Sequence, residues 1–146
     1  MSILSVNDPK QFIADFFTGF TADLLRDEED PAVIVDRYHT PDIIQVADGH
    51  AMDRGKLIAH TRPVRKNRPD SRVEVHEAHL TGDRLAARYT LHVRNRGTDL
   101  TIEVCFFGQF ASDGRMRSSH MLTRTVSAPN PQEAAPGAPA LQEEPS

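Results

Sequence analysis

Four residues spaced two apart, Ala86, Arg88, Thr90 and His92, share one face of a strand if the run Arg84–Arg94 is extended. Leu85, Ala87, Tyr89, Leu91 and Val93 then share the other. An inward guanidinium and imidazole beside a hydroxyl can hold a carbonyl oxygen, polarise it, or move a proton. Arg and His seldom turn inward unless something polar meets them, so the mixed face is read as a pocket lining and the apolar face as one covered by another surface. Each residue also has a plainer reading. Arg88 can pair with a carboxylate such as Glu77 on the neighbouring strand, and His92 can be a satisfied structural histidine. Tyr38, at the end of a short helix, offers its hydroxyl to a pocket wall or to solvent. Gln45 and Ala47 alternate with Ile44 and Val46, with Asp48 the nearest carboxylate. Ser119 and Met121 share a face of the last strand, and Phe106 points away from Cys105.

Other constellations lead nowhere. His76-Glu77-Ala78-His79 is one residue short of a zinc-protease motif and falls in a strand, where His76 and His79 should point to opposite faces. No Ser-His-Asp or Cys-His arrangement assembles from spacing, and there is no phosphate-binding glycine loop. No metal and no cofactor is therefore expected. His60 can reach a pocket mouth or simply face water.

The elements that must position these residues begin with a helix capped by Asp8, with Pro9 at its first position and Gln11 three residues after the cap. Phe12, Ile13, Phe16, Phe17, Phe20 and Leu24 recur along it at helical spacing and form one buried stripe, with Phe16 and Phe20 as candidate pocket walls. Asp30-Pro31 starts a second, short helix that Pro41 ends after Tyr38. Ile43–Ala47 reads as a strand and Asp48-Gly49 as its turn. Asp53 caps a third helix, which Pro63 should kink or end. Strands follow at about 72–80, 84–95, 99–111 and 115–126, separated by Gly82-Asp83, by Gly97 and by Ser112-Asp113-Gly114. Helices first and strands afterwards describe an α+β layer structure.

With 146 residues the chain has the length of one domain, read here as residues 1–127, followed by a Pro-, Ala- and Glu-rich tail over 128–146 that reads as disordered. The net charge is −4, and the tail supplies three of those charges, which leaves the rest near neutrality. Such a balance argues against a nucleic-acid groove and against an anionic membrane surface. The single Cys105 excludes an intramolecular disulfide and fits a reducing compartment. With no leader pattern and no stretch of membrane-spanning length, a cytoplasmic protein is expected.

The runs Tyr38-His39-Thr40-Pro41-Asp42-Ile43-Ile44, Asp53-Arg54-Gly55-Lys56, Gly82-Asp83-Arg84-Leu85-Ala86-Ala87-Arg88-Tyr89 and Asp113-Gly114-Arg115-Met116 occur in that order. Over about residues 8–126 the chain resembles the nuclear transport factor 2-like superfamily, which includes ketosteroid isomerases, limonene epoxide hydrolases and SnoaL-like polyketide cyclases. The resemblance implies a cone-shaped α+β barrel, with three N-terminal helices on a strongly curved, mainly antiparallel sheet. It also implies a homodimer through the convex face, expected here to carry Tyr89, Leu91 and Val93. The isomerases' oxyanion tyrosine falls on Phe16, their carboxylate base on Ala47 and their protonated acid on Phe106. The last-strand carboxylate of the cyclases and hydrolases falls on Met121, and the hydrolases' Arg and Asp fall on Thr90 and His92.

Proton abstraction beside a carbonyl needs a base and oxyanion donors, and both have given way to apolar wall. The resemblance then implies a cyclase that folds a reactive, apolar, polyketide-like substrate into shape, with Tyr38, Arg88 or His92 polarising a carbonyl. A pocket that only binds is one alternative, and an acid–base isomerase or hydratase using Asp48 or His92 is another. Phe16, Phe20, Gln45, Ala47, Thr90, Phe106, Ser119 and Met121 are the expected substrate contacts.

Overall fold

Each helix starts where a carboxylate can take an otherwise unpaired backbone N–H. The computed structural model describes residues 6–127, so the tail over 128–146 lies outside the described residues. Helix α1 (Pro9–Arg26) is capped by Asp8, whose Oδ1 accepts from the Gln11 amide at 3.2 Å. Helix α2 (Pro31–Tyr38) is capped by Asp30 through the Ala32 amide at 2.8 Å, and helix α3 (Arg54–Asn67) by Asp53 through the Lys56 amide at 3.0 Å. Pro63 does not end α3, which runs on for four residues to Asn67. Both Pro63 and Ala59, whose carbonyl loses its donor, are exposed, so water can take the freed oxygen. No helix among the described residues is long and apolar enough to cross a membrane.

The strands are β1 (His39–Ala47), β2 (His50–Asp53), β3 (Asp70–Thr81), β4 (Arg84–Asn95), β5 (Thr98–Phe110) and β6 (Met116–Ser127). β1 begins four residues before the expected Ile43, and Pro41 sits in an irregular stretch where pairing with β6 shifts between His39 and Ile44. The six strands form one curved sheet in the order β2-β1-β6-β5-β4-β3, antiparallel throughout except for β1 beside β6. β2 and β3 are its two edges, so the sheet is a cone left unclosed. Register shifts in β3, in β1 and along the β5–β6 pair supply bends of the kind that curve a sheet.

One face of the sheet packs on the helices and the other faces away. Leu85, Ala87 and Tyr89 belong to the inner face, buried with Val104, Phe106, Phe110 and Met116 against Ile13, Phe16, Val35 and Leu57. This reverses the expectation for β4. The apolar face is the core face, and the mixed face of Ala86, Arg88, Thr90 and His92 points outward. The physical reason is that β3 and β4 satisfy these polar groups across the ladder, which leaves Arg88 and His92 partly exposed while Thr90 is buried against its partner. Arg88 Nε donates to Glu77 Oε2 at 3.1 Å, His92 Nε2 lies 3.0 Å from Glu74 Oε1, and Thr90 Oγ1 lies 2.6 Å from His76 Nε2. A bulge between Val75 and Glu77 also puts His76 and His79 on the same outer side, not on opposite faces. Among the described residues no group of three potential ligands is placed to hold a metal ion.

Candidate functional site

Helix α1 lies against β3 and β4, and α3 lies against β1 and β2. The inner faces of β5 and β6 lie between these two contacts, with Phe12 and Phe16 of α1 edge-on to Phe110 and Phe17 edge-on to Phe106, and this inner side of the sheet is called the trough below. Across this trough the register builds an unbroken cross-strand row, Ala47–Met121–Phe106–Ala87–Ala78. A parallel row two residues along reads Gln45–Ser119–Gly108–Leu85–Leu80. At the centre the row is closed by packing: Phe106 is fully buried and meets Phe17 edge-on at 5.7 Å between centroids. Toward β1 it is looser, and Gln45, Ala47 and Met121 are only half-buried.

Of the residues expected to line a pocket, the structure brings Phe16, Phe20, Tyr38, Gln45, Ala47, Phe106, Ser119 and Met121 to this inner side. Arg88, Thr90 and His92 are on the far side of the sheet. Arg88 is about half exposed and ion-paired to Glu77, which was one of its two readings. Asp48 sits at positive φ in the β1–β2 turn, and both of its oxygens are taken by Thr123 of β6. Its amide donates to the Met121 carbonyl at 3.0 Å. Asp48 thus ties the turn to β6, and its carboxylate is committed to that tie. His60 faces water.

Tyr38 is held in place by a residue that the sequence reading missed. Its hydroxyl donates to Asp23 Oδ2 at 2.7 Å, and Asp23 also takes Arg37 Nη1 at 3.0 Å and an ion pair from Arg26. Burial alone would raise the Asp23 carboxyl, but the hydrogen bonds from Tyr38, Arg26 and Arg37 outweigh it and hold the group below the usual carboxylate range. Burial, together with donation to that carboxylate, pushes the Tyr38 phenol up to about 12. A glycine in mid-helix lowers stability by about 1 kcal/mol relative to alanine, yet Gly19 occupies such a position in α1. A Cβ there would meet the Tyr38 hydroxyl at 2.9 Å, so the glycine is what lets the tyrosine seat. The signal for Asp23 was present, since it follows Phe16 and Phe20 by seven and three residues and so shares their helix face.

His39, also missed, is the most deeply buried titratable group near the trough, with 1% of its surface exposed. Its ring meets Phe20 at 5.1 Å and Phe16 at 5.8 Å between centroids. Nδ1 lies 2.9 Å from the Val35 carbonyl, which can only accept, so Nδ1 carries the proton and Nε2 the lone pair of the neutral ring. Burial pushes the imidazole below its ordinary 6.5, against smaller opposing effects of the Val35 carbonyl and the Asp36 carboxylate.

Below the unfolded-state value the unfolded chain therefore binds the extra proton more readily than the folded one. Stability is full above that value and falls as the pH drops through it, by at most about 1.4 kcal/mol per pH unit for one proton. Urea midpoints are expected to fall between pH 7.5 and 5.5, and His39→Gln should flatten that slope; an unchanged slope in the variant would contradict the assignment.

Chemically, the inner face offers a half-buried apolar wall with the two polar side chains Gln45 and Ser119, while the Tyr38 hydroxyl is committed to Asp23 and the neutral His39 is sealed in the aromatic cluster. Comparison with known proteins places the fold. Among solved structures the chain is similar to SalBIII, an epoxide hydrolase/cyclase-like enzyme with a role in pyran ring formation in the polyether salinomycin. The TM-score is 0.60 at 14% identity, covering 79% of this chain and 89% of that one. It is similar to IdmH from Streptomyces antibioticus, a candidate polyketide cyclase, with a TM-score of 0.55 at 16% identity over 80% of this chain and 92% of that one. It is also similar to an LEH-like epoxide hydrolase from M. tuberculosis, with a TM-score of 0.59 at 13% identity over 95% of this chain and all of that one. At these identities the likeness concerns the fold. No curated protein matches the chain. The SnoaL-like domain model matches residues 13–119, from the first buried residue of α1 to Ser119 of β6, and the chain belongs to the SnoaL-like domain family.

Proposed function

We propose that this protein is a small-molecule cyclase that encloses a reactive, largely apolar polyketide-type chain in the trough and promotes its ring closure, by cycloaddition where the chain allows it, without a carboxylate base. One observation carries the reading: Ala47, Met121 and Phe106, the positions where the resemblance puts the relatives' acids and bases, are neighbours in one apolar cross-strand row. Phe16 stands across from them on the core side of α1. An enzyme with such a wall works by holding the chain folded, and orientation supplies about 7–11 kcal/mol in favourable intramolecular cases. The ring-closing activities named for SalBIII and IdmH support the same reaction class. The single thiol, Cys105, fits action in a reducing compartment such as the cytoplasm.

The test is turnover of a linear, reactive polyketide-type chain across pH. The expected result is accelerated closure with a rate nearly flat between about pH 6 and 9. A bell-shaped profile would instead identify an acid–base isomerase or hydratase, and saturable binding with no acceleration would identify a binding module.

The partner proposed for the outer sheet face is a second copy of the chain. The residues expected to make that contact, Tyr89, Leu91 and Val93, lie on the inner face, and the outer face carries Phe107 and Leu122, each 62% exposed, with Ile44 and Val126 at 45%. Large apolar side chains grouped in this way are a liability in a monomer. Light scattering at micromolar concentration should give a dimer that Phe107→Arg with Leu122→Arg converts to a monomer. A monomeric wild type would rule the dimer out.

A further inference from the structure

We infer that Ser119 and Gln45 form a polar subsite in the trough that grips a ketone oxygen on an otherwise apolar ligand. Ser119 Oγ is buried on the inner face and has no hydrogen-bond partner among the described residues. A buried hydroxyl normally finds a partner, because losing water without replacement is unfavourable. Its neighbour on one side cannot supply one, because Gly108 has no side chain and the Phe106 ring lies over it.

On the other side is Gln45, directly paired with Ser119 across the parallel β1–β6 ladder. Adjacent strands lie about 4.8 Å apart, so the two side chains stand side by side. The only hydrogen-bond partner of the Gln45 amide nitrogen among the described residues is the Met116 sulfur at 3.4 Å, a weak acceptor. The trough thus holds two adjacent donors with little to donate to, beside the half-open wall of Ala47 and Met121. A ketone oxygen accepts two hydrogen bonds, and its carbon frame suits the wall. Both features are met by a carbonyl on an apolar ring or chain, whereas an ammonium or a carboxylate would be left desolvated without an opposite charge.

This inference rests on the reading that the trough encloses a ligand, and the experiment separates the two. The probes are 1-tetralone and tetralin, which differ in one carbonyl, titrated calorimetrically into the full-length protein. The wild type should bind 1-tetralone about fivefold to tenfold more tightly than tetralin, the range expected of one added hydrogen bond. Ser119→Ala should bring the two affinities together, through weaker 1-tetralone binding and unchanged tetralin binding. Because it removes a hydroxyl that has no partner, its melting temperature should not fall. Gln45→Leu should narrow the preference in the same direction. Equal affinities in the wild type, or a preference that survives Ser119→Ala, would overturn the subsite and leave enclosure standing. If neither probe binds, enclosure falls with it.

Discussion

Met121→Trp and Ala47→Leu should each weaken ligand binding and ring closure by about tenfold to a hundredfold, while Arg88→Ala and His92→Ala leave both unchanged. The first pair adds volume to the apolar row on the side of the trough that is still half open. Overpacking costs about 1–3 kcal/mol, and about 1.4 kcal/mol corresponds to a factor of ten. The second pair sits on the far face, where Arg88 is engaged with Glu77 and His92 with Glu74. Melting temperatures must be measured alongside, so that lost binding is not confused with lost folding. If Arg88→Ala or His92→Ala abolished turnover with binding intact, the chemistry would lie outside the trough.

Gly108→Ala should destabilise the protein by about 1–3 kcal/mol although it adds a single methyl. That methyl would meet Phe106 Cζ at 2.6 Å and Cε1 at 2.7 Å, with Phe110 Cε1 at 3.1 Å. Phe106 and Phe110 are 0% and 1% exposed, so neither ring has space to retreat. Phe106→Ala should be worse, about 3–5 kcal/mol, since it leaves a cavity at the centre of the inner face. The two sites are coupled: with Phe106→Leu in place, Gly108→Ala should cost clearly less than it does alone. Additive losses in urea denaturation would show that the clash is not what makes position 108 a glycine.

Much of the frame was legible because it is written locally. The three Asp caps, two of them followed by proline, mark the helix starts, and the strand limits of β3 to β6 follow from turn glycines and alternation. The direction of the sheet faces was not legible. A period of two separates two faces without saying which is inside; Glu77 could be named as one candidate for Arg88, but the Glu74 partner of His92 is revealed only by the register. The rule that the apolar face belongs in the core decided β4 correctly; the expectation of a polar pocket lining set it aside. The bulge at His76 carries no glycine or proline to announce it. Nor does any local pattern show that β1 and β6 run parallel, which is what sets Gln45 beside Ser119 and Ala47 beside Met121. Asp23 and His39 were overlooked for a different reason: each adjoins the aromatic stripe, but their partners are the side chains and carbonyls of other elements.

The most direct test of a functional inner face is a titration of the methyl-labelled protein with 1-tetralone, followed by NMR. Met121 and Met116 report on the trough, and the ring signals of His76, His79, His92 and His120 report on the outer face. Saturable shifts of the Met121 and Met116 methyls, with the four histidine signals unmoved, are the predicted result. Shifts of the His92 and His76 rings with Met121 unmoved would place the ligand on the opposite side of the sheet and contradict the account.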